Sequence, residues 1–562
     1  MQILLLLMKL NMLSILAKFI NKRSQKISSA ALTIAFFGLA SRLFGLWRDR
    51  LLAGQFGATR TLDVYYAAFR IPDLVYNLLI VGAVSSAFLP VFYEYLTKDK
   101  EEAWRFAANV LNILIFALLI FSVILILFAP QLISLVAPGF DSASRELTVN
   151  ISRLLFLSPL LLGISALASA LLQAFSRFLI TSLAPIFYNL GIIFGIVFLA
   201  PRYGIWGLAY GVVLGALLHF LIQVPSLINI GFRFRGLLNF KEWGLIKVVK
   251  LWLPRTLSLF ALQVNSVVST AIASVLASGS IAIFNLADNL RWAPIGIVGV
   301  AFSTAAFPAM SLAYAQGKKD LFLKRFSLAV RQTLFIVIPL SLLFFVLRAQ
   351  IVRIILGTGN FNWQDTQLTA AVLGLFAFGI FAAALLPLFT RAFFAFHNTK
   401  TPVFINVFSM IINIFLSLIF VWYFAKYTDM PAILGLPLAI TIASVINLVW
   451  HWFDLKKYVG DFGIGEIKKS FFKILAASII AVIFIYVGLY AFSHVFDTWT
   501  VLGLLFQTLC AGLFGGIAYL AAALALKMEE ILMLNIPATL LNWRGIKNPE
   551  PEPIGESLDD QY

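Results

Sequence analysis

Long apolar runs separated by short charged loops fill this chain. A helix needs about 20 apolar residues to cross a bilayer. About fourteen stretches reach that length: residues 29–55, 62–96, 104–136, 147–175, 179–200, 204–230, 246–277, 280–315, 322–356, 367–396, 402–425, 431–455, 471–495 and 499–526. Several exceed the requirement, which predicts tilt, kinks or extension beyond the hydrocarbon. Pro72, Pro159, Pro294 and Pro387 fall inside them. Each proline removes a backbone donor and kinks a helix, a break tolerated where neighbours or a cavity satisfy the freed carbonyl.

The two ends read differently. Met1 to Ile20 is apolar but is interrupted by Lys9 and Lys18 and followed by Lys22, Arg23 and Lys26. Residues 1–28 are therefore expected to form an interfacial amphipathic segment rather than a span. Residues 528–562, with Pro549-Glu-Pro-Glu-Pro553 and Asp559-Asp560, are expected to be a solvated, flexible tail.

Loop charge sets the expected orientation. With both termini in the cytoplasm, the basic loops fall inside: Lys98/Lys100/Arg105, Arg177, Arg233/Arg235/Lys241/Lys247/Lys250, Lys318/Lys319/Lys324/Arg325, Lys400, Lys456/Lys457 and Lys468/Lys469. The outside loops then keep only Arg60, Arg145, Arg202 and Lys426. This is the positive-inside bias.

The chain also repeats itself. Val84-Ser-Ser-Ala-Phe-Leu-Pro90 recurs 218 positions on as Phe302-Ser-Thr-Ala-Ala-Phe-Pro308. Pro185-Ile-Phe-Tyr-Asn189 recurs 217 positions on as Pro402-Val-Phe-Ile-Asn406, and Gly207-Leu208 recurs 228 on as Gly435-Leu436. Each repeat holds six predicted helices, an even number, so both copies enter the membrane in the same orientation. The expected layout is two parallel six-helix lobes with a substrate site between them: residues 29–230, a linker at 231–245, and residues 246–458. Residues 470–527, predicted helices 13 and 14, fall outside the repeat.

Composition agrees with the pattern. Of 562 residues, 61% are hydrophobic and 12% charged, against about 45–50% and ~25% in soluble domains. The net charge of +17 would suggest nucleic acid in a soluble protein; here it is assigned to cytoplasmic loops, and no nucleic-acid partner is expected. Cys510 is the single cysteine, which excludes an intrachain disulfide and cysteine-based metal sites. His219, His397, His451 and His494 lack ligand spacing, so neither metal nor cofactor is expected. No phosphate loop, H-E-x-x-H or nucleophile elbow occurs, so the chain reads as a transporter rather than an enzyme.

The informative residues are charges inside apolar spans, each costing ~2.5–3.5 kcal/mol at a helix centre. Predicted helix 1 carries Ser41, Arg42, Arg48, Asp49 and Arg50; helix 2 adds Asp63, Arg70 and Asp73; helix 8 adds Asp288 and Arg291. Arg42 and Asp49, seven apart, share a helix face. Arg42 and Arg48, six apart, lie about 120° around the helix and would border a wide cavity. One reading is a set of structural Arg–Asp pairs near the membrane edges. The other is a cationic cavity whose guanidinium forks match phosphate oxygens. Arg42, Arg48, Arg70 and Arg291 are the expected substrate contacts; Ser41, Asp49, Asp63 and Asp288 are the expected structural or gating groups. Arg50 is assigned to the interface.

The stretch Ala40-Ser-Arg-Leu-Phe-Gly45 … Arg48-Asp49 … Phe56-Gly-Ala58 … Asp63 … Ala67-Ala-Phe-Arg-Ile-Pro72 … Gly82-Ala83 … Pro90 … Glu94-Tyr95 resembles the opening of the MurJ (MviN) lipid II flippases. Ala137-Pro-Gly-Phe140, Ala273–Asp288 and Arg391–Pro402 extend the resemblance across roughly residues 30 to 530. It implies the MOP-superfamily fold, two lobes in a V with helices 13 and 14 lining a lipid-tail groove. It also implies a bacterial inner-membrane protein that flips a polyprenyl diphosphate-linked disaccharide-pentapeptide by alternating access. Expected partners are lipid II, membrane lipids and cell-wall synthesis proteins. With no ATPase motif, the drive would be ion coupling or membrane potential, or consumption of product. The chain departs from the family where an Arg-Arg pair and an acidic residue are usual in helix 2 (here Tyr76-Asn77 and Val81), and where Arg follows the helix 8 Asp (here Asn289). Ser269 stands where helix 7 often offers Asp, so a family sodium site is not carried over. Alternatives are a flippase for another undecaprenyl-linked glycan, and a non-transporting envelope-assembly scaffold.

Overall fold

The computed structural model describes residues 27–81 and 87–534. The expected interfacial segment at the N-terminus and the tail beyond residue 534 lie outside the described residues, as does part of the Val84–Pro90 motif. Among the described residues every regular element is helical.

The helices form a series. α1 is Ile27–Phe56; α2 is Arg60–Val75, running on as a π helix over Tyr76–Val81, with Leu89–Leu96 beyond the undescribed residues. α3 is Lys100–Leu127 with Ala129–Val136. α4 is Ser142–Ala174, α5 Phe178–Tyr203 and α6 Ile205–Asn229. α7 is Trp243–Ser274 and α8 is Ser280–Ala315. α9 is Lys319–Val346 with Arg348–Leu356, α10 Trp363–Ala395, α11 Lys400–Tyr427 and α12 Ala432–Val459. α13 is Ile464–Ser493 and α14 is Val501–Ala525. Eleven of these are long and apolar enough to cross a membrane; α1, α2 and α7 are not among the eleven.

Local chemistry sets the helix ends. Asp99 accepts from the amides of Glu101 and Glu102 at the start of α3, and Thr500 accepts from Gly503 at the start of α14. These are ordinary N-caps. Asp141 accepts from the Ser144 amide at 3.2 Å; hydrogen bonds from the Ser144 hydroxyl and amide hold its carboxyl below the usual range.

Proline acts in three ways. Pro72 lies inside α2, four residues before the π segment. Pro294 ends the first part of α8, directly before another π segment, Ile295–Val300. In α4 the helix is interrupted at Phe156, just before Pro159. Pro159 has no N–H for the Leu155 carbonyl four residues back, and the Ser158 hydroxyl donates to that carbonyl instead at 2.8 Å. Pro387 leaves α10 continuous.

The chain divides into two compact units. The first runs through Leu286 and includes Ile355–Thr369 and Met410–Leu436. Its core is an aromatic ladder: Tyr95 stacks on Phe106 at 4.5 Å and on Trp243 at 4.8 Å, and Trp104 stacks on Phe175. The units do not coincide with the two sequence repeats. Hydrogen bonds explain why α7 goes with the first: Gly139 N–H donates to Ser274 Oγ at 3.1 Å, and Arg70 reaches Ser266 and Thr270. Asn413 on α11 donates to Asn265 at 3.1 Å within the same unit.

The second unit packs Phe326 against Phe389 and Phe462. The Tyr519 hydroxyl of α14 donates to the Phe335 carbonyl of α9 at 2.6 Å. α13 and α14 meet through small residues, with Gly488 against Ala511. The two helices outside the sequence repeat are thus fastened to the second unit.

In the first unit α5 and α6 approach backbone to backbone. A Cβ on Gly191 would lie 2.3 Å from the Gly215 Cα, and one on Gly195 would lie 2.5 Å from the Gly211 Cα. Only glycine permits this seam. Gly211→Leu is expected to lower the thermal midpoint of detergent-purified protein by at least the ~1–3 kcal/mol of overpacking. Gly512→Leu, at a position with nothing within 4 Å of an added Cβ, should leave the midpoint unchanged in the same thermal-shift assay.

Candidate functional site

Arg48, Asp63 and Arg70 of the first unit each meet specific polar groups. Arg48 donates from Nε and Nη2 to Asp49 Oδ1 at 3.0 and 2.8 Å, and from Nη1 to Asn189 Oδ1 at 3.1 Å. Asn189 on α5 donates in turn to the carbonyls of Ser41 (3.4 Å) and Pro185 (3.1 Å). Ser41, Arg48 and Asp49 are therefore joined through Asn189, a residue of the Pro185 motif that the sequence alone does not mark as their partner. Asp49 is 4% exposed and pairs with the adjacent Arg48. Arg42, which shares its helix face, stays exposed.

Asp63 is 1% exposed and does a different job. Its carboxylate accepts from the backbone N–H groups of Gly279 (2.7 Å) and Ala282 (2.9 Å), with Arg60 at 3.7 Å. It caps the first turn of α8 from a distance in sequence. A helix start presents unsatisfied amides and a partial positive charge, so a carboxylate there is favourable. Gly279, at φ +88°, has the Ala58 carbonyl where a Cβ would be, which lets the two loops close on each other.

Arg70 spreads its guanidinium over three neutral oxygens. Nε donates to Thr270 Oγ1 at 2.7 Å, Nη1 to Ser266 Oγ at 2.9 Å, and Nη2 to Asn285 Oδ1. It ties α2 to α7 and to the start of α8. Ser266 and Thr270, one turn apart on α7, were a readable polar pair that the sequence reading passed over.

In the second unit Asp288 pairs with Arg291 at 2.5 Å. Arg291 is 9% exposed, with its guanidinium 4.2 Å from the centre of the Phe376 ring. The α8 helix is regular from Ser280 to Pro294, and an i,i+3 pair on one face follows.

Comparison with known proteins decides the family. The model for the family "Lipid II flippase MurJ" matches residues 52–510. The chain belongs to the MurJ family. A probable lipid II flippase MurJ of Buchnera aphidicola subsp. Schizaphis graminum is 30% identical over 470 residues, 83% of this chain and 90% of the relative. The lipid II flippase MurJ of Burkholderia cenocepacia is 28% identical, over 76% of this chain and 83% of the relative. Among solved structures, a MurJ in an inward closed conformation superposes with a TM-score of 0.72 at 26% identity, covering 88% of this chain and 98% of that one. An inward-facing multidrug MATE transporter of the MOP superfamily reaches 0.60 at 14% identity, over 76% and 96% of the two chains, a likeness of fold alone. The all-helical MOP-type fold expected from the resemblance is thus the fold of this MurJ-family chain.

The Asp63 contact yields a test. Asp63→Ala leaves two buried amides without an acceptor, a loss of about 1–3 kcal/mol. The thermal midpoint should fall, with Asp63→Asn intermediate because an amide oxygen still accepts. Equal midpoints for all three proteins would show that the cap does not contribute.

Proposed function

We propose that this chain flips lipid II across the bacterial inner membrane, from the cytoplasmic to the outer leaflet, with both termini in the cytoplasm. The single observation behind the reading is the MurJ family match across residues 52–510. The side chains supply a compatible chemistry. Lipid II carries a diphosphate and a bulky polar head on a polyprenyl tail. The head must cross the hydrocarbon shielded, and the diphosphate needs cations.

Arg42, exposed on α1, offers the guanidinium fork that matches phosphate oxygens. Arg48 is held in place by Asp49 and Asn189, so its charge is partly answered before any ligand arrives. Arg70 is fixed by hydroxyl and amide oxygens, none of which carries a negative charge. Arg291 lies beside Asp288 and against Phe376. In this reading Arg42 and Arg70 meet the diphosphate first, while Arg48 and Arg291 shape the field. Alternating access carries the head across, the lobes rocking about the site. Membrane potential contributes ~2.3 kcal/mol per charge per 100 mV, and use of lipid II on the far side pulls the process forward.

Complementation of a conditional flippase-depletion strain, read by surface access of labelled lipid II, tests the function. Wild-type chain should restore access. Arg42→Ala should abolish it at normal expression, and Arg42→Lys should rescue it in part, because a point charge lacks the bidentate fork. No rescue by a well-expressed wild type would favour the other readings, another undecaprenyl-linked glycan or a scaffold role, for which the loss of arginine at Tyr76, Asn77 and Asn289 is the supporting observation. Reporter fusions after Lys26 and after Lys527 should both report cytoplasm; a periplasmic signal at either overturns the orientation.

A further inference from the structure

The first unit contains a half-open cavity of about 240 Å³ whose α5 wall, Pro185 and Tyr188, adjoins the Asn189 that meets Arg48. Three of its walls carry helix prolines: Pro72 on α2, Pro159 on α4 and Pro185 on α5. Its polar lining is Asp73, Tyr76, Ser158, Tyr188 and His219. From this arrangement we propose that the cavity is a proton-binding site, with the Asp73 carboxylate as the group that takes and releases the proton.

Asp73 is the one carboxylate in the lining. Among the described residues it has no ion-pair partner within 4 Å, and its side chain accepts no hydrogen bond. The other acids in the α1 and α2 spans are answered directly: Asp49 by Arg48, and Asp63 by two amides and Arg60. The two cations that act on Asp73 are Arg70 and Arg48, and both point their guanidinium groups at other oxygens. A carboxylate without a direct partner in a membrane-spanning unit is costly. A proton removes that cost.

The remaining lining groups suit proton movement better than metal binding. The His219 Nδ1 lies 2.6 Å from Ser165 Oγ. Ser165 also accepts from Gln223 Nε2 at 2.7 Å, and Gln223 Oε1 accepts from Ser169 at 2.8 Å. One imidazole nitrogen is therefore fixed by a polar chain along α4 and α6, and the ring reaches the same cavity as Asp73. The Ser158 hydroxyl proton is committed to the Leu155 carbonyl, which leaves its oxygen as an acceptor. The proline at 185 leaves the Thr181 carbonyl without its usual helical donor. These groups would hold water. A single carboxylate is a poor site for a divalent ion, which prefers several, and no group of three or more metal-ligating side chains occurs among the described residues.

The titratable and charged neighbours of Asp73 are few. From α2 they are Arg70, Tyr65 and Tyr76; from α1, Arg48; from α5, Tyr188; from α6, His219. From α4 the polar lining group is the uncharged Ser158 hydroxyl. Asp73 sits one turn from Arg70, whose bonds tie α2 to α7 and to the start of α8. Taking up a proton removes a negative charge one turn from Arg70 on α2 and changes the field across that tie. Proton occupancy would thereby bias the arrangement of α2 and α7 on which transport depends.

The proposal rests on the flippase reading for its role in transport, though not for the binding itself, so two measurements are needed on the full chain in proteoliposomes. Infrared difference spectra across a pH titration should show a protonated-carboxyl band in wild type that is lost in Asp73→Asn and shifted in Asp73→Glu. Lipid II flipping should vary several-fold with pH in wild type, become flat with pH in Asp73→Asn, and keep its pH dependence in Asp73→Glu. A band unchanged in Asp73→Asn overturns the proposal. So does wild-type flipping that is flat with pH, or that follows sodium concentration instead. If wild type flips no lipid II at any pH, the flippase reading fails while the infrared titration still decides whether Asp73 binds a proton.

Discussion

A charge placed inside an apolar span must be answered by something nearby, and the first unit is arranged around that requirement. The chain answers in three chemically different ways. Arg48 takes a carboxylate and an amide oxygen, Asp63 takes the open end of a helix, and Arg70 takes two hydroxyls and an amide oxygen. Each answer comes partly or wholly from another helix, so the charges also fix which helices lie together. The grouping of α7 with the first six helices follows from these bonds rather than from apolar packing alone. Removing a charge here removes a structural tie as well as a functional group.

The apolar pattern made the helices legible because length and mean composition decide whether a segment can sit in a bilayer. The charges of α1 and α2 were equally legible, since each is improbable without a purpose. Their partners were not. Asn189, Ser266, Thr270 and the amides of Gly279 and Ala282 are ordinary residues in a sequence, and only the fold brings them to Arg48, Arg70 and Asp63. The seven-residue spacing of Arg42 and Asp49 pointed to a shared face, whereas Asp49 pairs with its neighbour Arg48, because a long side chain can fold back along its own helix. Pro159 was read as a kink within one helix; the break at Phe156, with Ser158 serving the orphan carbonyl, is the physical form that kink takes.

The internal sequence repeat is asymmetric in charge. At the 217-residue offset of the Pro185 and Pro402 motifs, Arg48-Asp49 corresponds to Asn265-Ser266. The second copy keeps polar groups at these positions and drops the ions. Asn265 accepts from Asn413, and Ser266 accepts from Arg70 of the first copy. The cationic character of the first repeat is therefore concentrated in α1 and α2. The chain has gone further from the family pattern in the same direction, with Tyr76 and Asn77 where two arginines are usual. Tyr76 lines the cavity that contains Asp73, so part of the surface expected to be basic is here phenolic and acidic.

Two of the π segments, Tyr76–Val81 and Ile295–Val300, occupy nearly the same place in the two repeats, 219 positions apart. An α-helix advances each residue by about 100°, and a π turn accommodates an additional residue without breaking the helix. The segment therefore works as a slack turn. Over Ile295–Val300 it takes up about one residue's worth of rotation, so Asp288 and Arg291 before it and Phe307 and Pro308 after it keep the facing that a plain helix one residue shorter would give them. Deleting one residue there would close the wide turn and leave the downstream half against the same neighbours. In alignments of relatives, a single-residue gap at this place would mark the loss of the wide turn rather than a reorientation of half a helix.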